Sequence, residues 1–86
     1  MIQRISEPVS VVSAFNAHDR TVRPISLEWS RRTYPVLQVG LRHTYRDGIT
    51  RHHVFSVVSN SLFFRLNLNT ETLHWTLEEV SDGLPD

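Results

Sequence analysis

Alternation constrains this chain more than any other feature. Apolar residues recur at every second position over most of its length, the spacing of strands that turn one face to a core, and helical periodicity is absent. Val9, Val11, Ser13 and Phe15 alternate with Ser10, Val12 and Ala14 in a first strand, which Asn16-Ala17-His18-Asp19 ends with turn-forming residues. Ile25, Leu27 and Trp29 share one face of a second strand, and Ser30-Arg31-Arg32 turns the chain into Thr33 and Tyr34. In the third strand Tyr34 and Val36 are out of phase with Leu37, Val39 and Leu41. One extra residue near Val36 to Gln38 restores both sets to the core, so a β-bulge is expected there, with Pro35 tolerated at the strand start and Gly40 at a bend.

Asp47-Gly48 is the strongest turn signal and predicts a two-residue type I′ hairpin. That register pairs Arg46 with Ile49, Thr44 with Arg51, His43 with His52, Arg42 with His53 and Leu41 with Val54. A fourth strand then runs through Phe55, Val57 and Val58 to Ser59-Asn60-Ser61. A fifth alternates Leu62, Phe64, Leu66 and Leu68, and a sixth, after Asn69-Thr70-Glu71-Thr72, turns Leu73, Trp75 and Leu77 inward. The expected fold is all-β: a small antiparallel meander of five or six strands curled into an SH3-like barrel or a strongly bent sheet. Curling lets Trp29, Tyr34, Phe55, Phe64 and Trp75 meet in one core and hides sheet edges. Residues 1–6 read as a lead-in, 7–80 as a single β domain and 81–86 as a frayed tail.

The 86 residues leave room for one core, and 40% apolar with 21% charged content is that of a folded domain. With no cysteine, disulfides, thiolate metal sites and cysteine nucleophiles are excluded. The first residues lack the apolar stretch of a signal peptide and no apolar run approaches the roughly 20 residues of a membrane span, so the expected location is cytoplasmic.

From Glu7 onward the chain resembles a bacterial family of short uncharacterised all-β proteins. The resemblance rests on Glu7-Pro8-Val9, on Arg23-Pro24 ahead of Trp29, on the pattern Trp29-x4-Tyr34-x-Val36-x2-Val39, and on Leu62-x-Phe64-x-Leu66 followed by Leu73-x-Trp75-x-Leu77. It implies a small β fold and names no activity. The chain departs from the family at Ser30-Arg31-Arg32, where similar proteins often carry glycine.

Net charge is zero, but the chain is electrically polarised. All nine basic side chains are arginine, and from Arg20 to Arg65 eight of them stand against only Glu28 and Asp47, a local +6. From Leu66 onward Glu71, Glu78, Glu79, Asp82 and Asp86 give −5. Either the basic stretch forms a face for nucleic acid or another polyanion, or the acidic C-terminal strand lies beside it and cancels its field.

The Asp47-Gly48 hairpin sorts these charges. Leu41, His43, Tyr45, Thr50, His52 and Val54 fall on one face; Arg42, Thr44, Arg46, Ile49, Arg51 and His53 fall on the other. Arg42, Arg46, Arg51 and His53 are therefore the expected polyanion-binding residues, with Tyr45 or Phe55 available for stacking. His43 opposite His52 offers two zinc ligands, which do not make a site without a third, and no metal or other cofactor is expected. Glu78-Glu79 are neighbours on a strand, so their carboxylates are expected to point apart and serve solubility.

Ser56, Ser59 and the five histidines come without a nucleophile elbow, a phosphate loop or spaced carboxylates, and a domain this small has little volume for a pocket of about 300 Å³. The expected function is accordingly a non-enzymatic interaction module whose partner is a protein or a nucleic acid. The alternative is a protein-docking or homo-oligomerising module, a homodimer for instance, that uses an exposed strand edge and has no catalytic activity, for which the charge-free, valine-rich first strand is the candidate.

Overall fold

The computed structural model describes residues 1–83, and its regular structure is entirely β. Seven strands follow one another: β1 (Ile2–Asn16), β2 (Thr21–Trp29), β3 (Arg32–Pro35), β4 (Gln38–Asp47), β5 (Thr50–Ser59), β6 (Leu62–Asn69) and β7 (Trp75–Ser81). They form one antiparallel sheet in the order β3-β2-β1-β7-β6-β5-β4. Each strand lies beside its sequence neighbour except at two places: β7 pairs with β1, and β3 does not pair with β4. The sheet is a strongly bent half-barrel whose seam falls in the middle of the chain.

There are seven strands instead of the expected five or six because the predicted third strand is two. Between β3 and β4 the chain changes partners: the Val36 amide donates to Ile25 O on β2 and the Leu37 amide donates to Val58 O on β5, both at 2.8 Å. The two edges of the sheet are thus joined at one end of the seam. The expected bulge also lies further along, between Val39 and Leu41, where Gly40 is the extra residue. It reverses the faces of everything after it. Val39 packs against the core, whereas Leu41 is 73% exposed and Arg42, opposite Phe55, points to the concave side. Leu37, at the crossing, is also exposed. Leu73, expected to face inward, lies in the turn before β7 with φ of 63° and is exposed.

Residues 1–6, read as a lead-in, belong largely to β1, whose first half pairs with β7 (Ile2 opposite Ser81, Val9 opposite Trp75) while its second half pairs with β2. Ser81, expected to open the tail, closes β7, and residues 84–86 of that tail lie outside the described residues. β1 lies inside the strand order, yet each half is bonded on one side only: Ile2–Val9 pair with β7, and Ser10–Asn16, within the expected docking edge, pair with β2 and leave their other edge unpaired.

Two turns depart from the expected chemistry. The β2–β3 hairpin pairs Trp29 with Arg32, and both intervening residues, Ser30 (φ 53°) and Arg31 (φ 65°), are left-handed, the conformation a type I′ turn demands. The β4–β5 hairpin pairs Asp47 with Thr50, so its central residues are Gly48 and Ile49, not Asp47 and Gly48. Only Gly48 has a positive φ (63°), as in a type II′ turn. The pairing predicted for this hairpin is displaced by two positions in consequence.

The concave face holds the core. Leu27, Phe55, Val57, Phe64, Leu66, Leu77 and Val80 are buried there with Trp75, and Trp29 and Tyr34 pack against them. Tyr34 lies 5.0 Å from Phe64 between ring centroids, and Phe55 lies 5.6 Å from Trp75. Fully burying one such leucine or phenylalanine contributes about 1.5–3 kcal/mol. No helix is long and apolar enough to cross a membrane among the described residues.

The bulge at Gly40 makes a direct prediction about two leucines that simple alternation assigns alike. Leu66→Ala, at a fully buried position, should lower unfolding stability in urea by about 2–5 kcal/mol. Leu41→Ala should stay within about 0.5 kcal/mol of the parent, and a loss as large as that of Leu66→Ala would mean the bulge is misplaced.

Candidate polyanion-binding cleft

The core strands run past the point where the sheet closes. Towards the open end of the seam, β2 and the outer part of β4 stand apart, and the concave face continues between them as a cleft of about 310 Å³. Its lining comes from two hairpins distant in sequence: Phe15, Arg20, Thr21 and Val22 from β1–β2, and Arg42, Thr44, His53 and Phe55 from β4–β5. Such a volume is at the low end of small-molecule sites, about 300–1,000 Å³, and exceeds the expectation for so small a domain. The half-barrel supplies it by staying open.

Each hairpin positions its side chains by local geometry. In the first, Asn16 Oδ1 accepts the His18 amide at 2.9 Å, and Asp19 Oδ1 accepts both the Thr21 amide (3.2 Å) and the Thr21 hydroxyl (2.6 Å). These bonds set the turn in which Arg20 adopts a φ of 57°. They also hold the Asp19 carboxyl below its usual range, the Thr21 hydroxyl most of all and the Arg42 charge least. Phe15 lies opposite Val22 on the concave side yet is 67% exposed.

In the second hairpin, strict pairing from Leu41 to Asp47 builds a ladder on the concave side. Arg46 stands opposite Arg51, Thr44 opposite His53 and Arg42 opposite Phe55. Phe55 is fully buried and floors the cleft, with the His53 ring 6.4 Å away. The four residues expected to bind a polyanion thus share one face, but they divide between two hollows. Arg42 and His53 line the cleft, while Arg46 and Arg51 line an adjacent depression at the hairpin tip that also holds Glu71. Sequence reasoning misses Arg20 as a site residue, and it places Phe15 only in the alternation of the first strand. The charge of Arg20 is visible in the sequence, but nothing local signals that β2 and β4 come together.

The β7 glutamates do not reach this ladder; of the acidic C-terminal residues Glu71, in the turn before β7, lines the tip depression with Arg46 and Arg51. β7 sits between β1 and β6, with two strands between it and β4. A bulge opposite Arg65 turns both Glu78 and Glu79 to the convex side, where they hold its guanidinium at 3.1 and 2.8 Å, and Glu79 also lies 4.0 Å from Arg4. The two carboxylates therefore converge instead of pointing apart. Among the described residues Arg20, Arg42, Arg46 and Arg51 make no ion pair. None of the eight residues lining the cleft is acidic.

The convex face of the same hairpin is a brace. Tyr45, not His43, stands opposite His52, and their rings stack at 4.8 Å and 3°. Asn67 Nδ2 donates to Tyr45 Oη and to Glu78 Oε2, both at 2.9 Å. Its Oδ1 is left as an acceptor, so His52 donates from Nδ1 at 2.9 Å. The network ties β4, β5, β6 and β7 together and fixes the orientation of the basic ladder on the other side. It also removes the expected pairing of His43 with His52, since His43 lies opposite Val54. No group of three residues able to hold a metal ion occurs among the described residues.

His53 is the cleft's titratable group. Partial burial, then the Arg51 and Arg42 charges, lower its pKa below the ordinary imidazole value. The neutral ring is therefore favoured by folding, and native stability should fall as pH drops through the ordinary imidazole range, where the unfolded chain takes up the proton more readily. His53→Asn should flatten that part of the stability-against-pH curve. In the parent the His53 ring, followed by NMR, should titrate below a histidine in an unstructured peptide, and a midpoint above that reference would contradict this electrostatic account.

Comparison with protein-family models, with curated proteins and with solved structures finds no match to this chain.

Proposed function

We propose that this domain is a non-catalytic binding module for an extended polyanion, held in the open seam of its half-barrel. The observation that carries the reading is the convergence of Arg20, Arg42 and His53 on a cleft with no acidic lining, continued at the hairpin tip by Arg46 and Arg51. Like charges placed directly opposite on neighbouring strands destabilise a sheet, and a chain with no use for an anion has no reason to keep them. Guanidinium groups suit phosphate or sulfate oxygens because their planar donors can bind two oxygens at once. His53 adds a donor that is neutral while the site is empty, so it does not deepen the repulsion, and it can take up a proton when an anion arrives. A cytoplasmic setting, where nucleic acids are the abundant polyanions, fits this chemistry.

A second reading has its own observation. β4 pairs only with β5, so beyond the crossing at Leu37 its other edge is unpaired from Leu41 to Asp47 and could add an extended segment of a protein partner. The arginines on that strand restrict such a partner to an acidic one.

The test is binding of labelled single-stranded oligonucleotide and of inorganic polyphosphate at several salt concentrations. Replacing both Arg42 and Arg51 by alanine should weaken binding at least tenfold and flatten the log–log salt slope by about 0.7 for each phosphate no longer neutralised. Affinity and slope equal to those of the parent would remove the cleft from consideration and leave the β4 edge.

A further inference from the structure

We propose that the polyanion is a single-stranded nucleic acid, with one base stacked on Phe15 inside the cleft and the adjoining phosphates on Arg42 and Arg20. This rests on the polyanion reading above and adds to it the class of ligand.

The cleft is chemically divided. Val22 and the fully buried Phe55 make an apolar floor, and Thr21 and Thr44 line it beside the cationic Arg20 and Arg42 and beside His53. A ligand that is charge throughout, such as polyphosphate, has nothing to place against that floor. A nucleotide strand has both parts, a backbone for guanidinium groups and a flat apolar ring for the interior.

Phe15 gives the second observation. It occupies a concave-face position in register with Val9 and Val11, which pack on the core, yet two thirds of its surface is exposed to water. Packing does not account for a phenylalanine there. A ring presented beside cationic side chains is the platform on which unpaired bases stack, and such stacking tolerates any sequence because every base has a π-face.

Shape favours a single strand over a duplex. Paired bases are stacked on one another, and proteins that read them insert a helix or ribbon into a groove. Here the cationic and aromatic groups line a concavity, with a volume of about 310 Å³ that suits a single splayed base.

The decisive comparison uses four probes of equal length or charge: a thymidine 20-mer, the corresponding uridine 20-mer, an abasic 20-mer with the same phosphates, and a duplex. The parent protein should bind the thymidine or uridine strand about tenfold more tightly than the abasic strand, a typical contribution of one stacked base. The ratio of uridine to thymidine affinity identifies which nucleic acid is preferred. Phe15→Ala should bring the base-bearing strands down to the abasic level without changing the salt slope, while Phe15→Tyr should retain the parent's preference. Far-ultraviolet circular dichroism of both variants should match the parent, since the ring is exposed. Equal affinity of the parent for base-bearing and abasic strands overturns the stacking proposal and leaves the polyanion reading intact. Equal affinity for duplex and single strand overturns it as well. Failure of every probe, polyphosphate included, overturns both.

Discussion

A strand that leaves one neighbour for another must abandon one hydrogen-bond ladder before it can join the next. Residues 36 and 37 make that exchange without losing a bond, because the Val36 amide finds Ile25 O on one side and the Leu37 amide finds Val58 O on the other. The crossing joins the two halves of the sheet at one end only. Past it, β2 and β4 diverge, and the space between them is the cleft. Gly40, three residues further along the chain, decides what that space contains: the bulge sends Leu41 to solvent and Arg42 to the concave side, so the surface that buries Val57 and Phe55 further in becomes basic at its mouth.

The distribution of charge has the same logic. Arg65 is gripped by two glutamates on the convex face, where the sheet needs nothing but solubility and register. Arg46 and Arg51, directly opposed on the concave side, receive no such grip. Arginines that look alike in the sequence thus have opposite fates, one used to hold strands together and the others left as an electrostatic liability. The convex brace of Tyr45, His52, Asn67 and Glu78 is what allows the liability to persist, since it holds the same hairpin in place from behind.

Strand type, the antiparallel order of successive neighbours and the aromatic core were legible in the sequence because alternation reports burial directly. The division of the β4–β5 hairpin into a basic face and a mixed face was legible too, despite a wrong register. A displacement of two positions preserves which side each residue takes while changing its partner, so Arg42, Arg46, Arg51 and His53 stayed together while His43 lost His52 to Tyr45. The turn misled because Asp47-Gly48 satisfies the type I′ preference locally, while the observed turn is centred one residue later, on Gly48 and Ile49. The bulge position and the convergence of Glu78 with Glu79 were not legible, since one inserted residue leaves the composition of a strand unchanged. The meeting of β2 with β4 was invisible for a different reason: no local pattern encodes which distant hairpins face each other across an open seam.

The pairing of β1 with β7 carries a cost that belongs to time instead of energy. Residues 2–9 find their partners only at residues 75–81, so the contact that joins the two halves is among the most non-local the chain can make. The second half of β1 can zip onto β2 at once as a local hairpin, but the first half waits. At a synthesis rate of about 5–20 residues per second that wait is on the order of several seconds on the ribosome. During it, residues 2–9 lack the only ladder partner they have. The nascent domain therefore passes through an interval in which the first half of β1 has no ladder partner, and the arrival of β7 is the event that ends it.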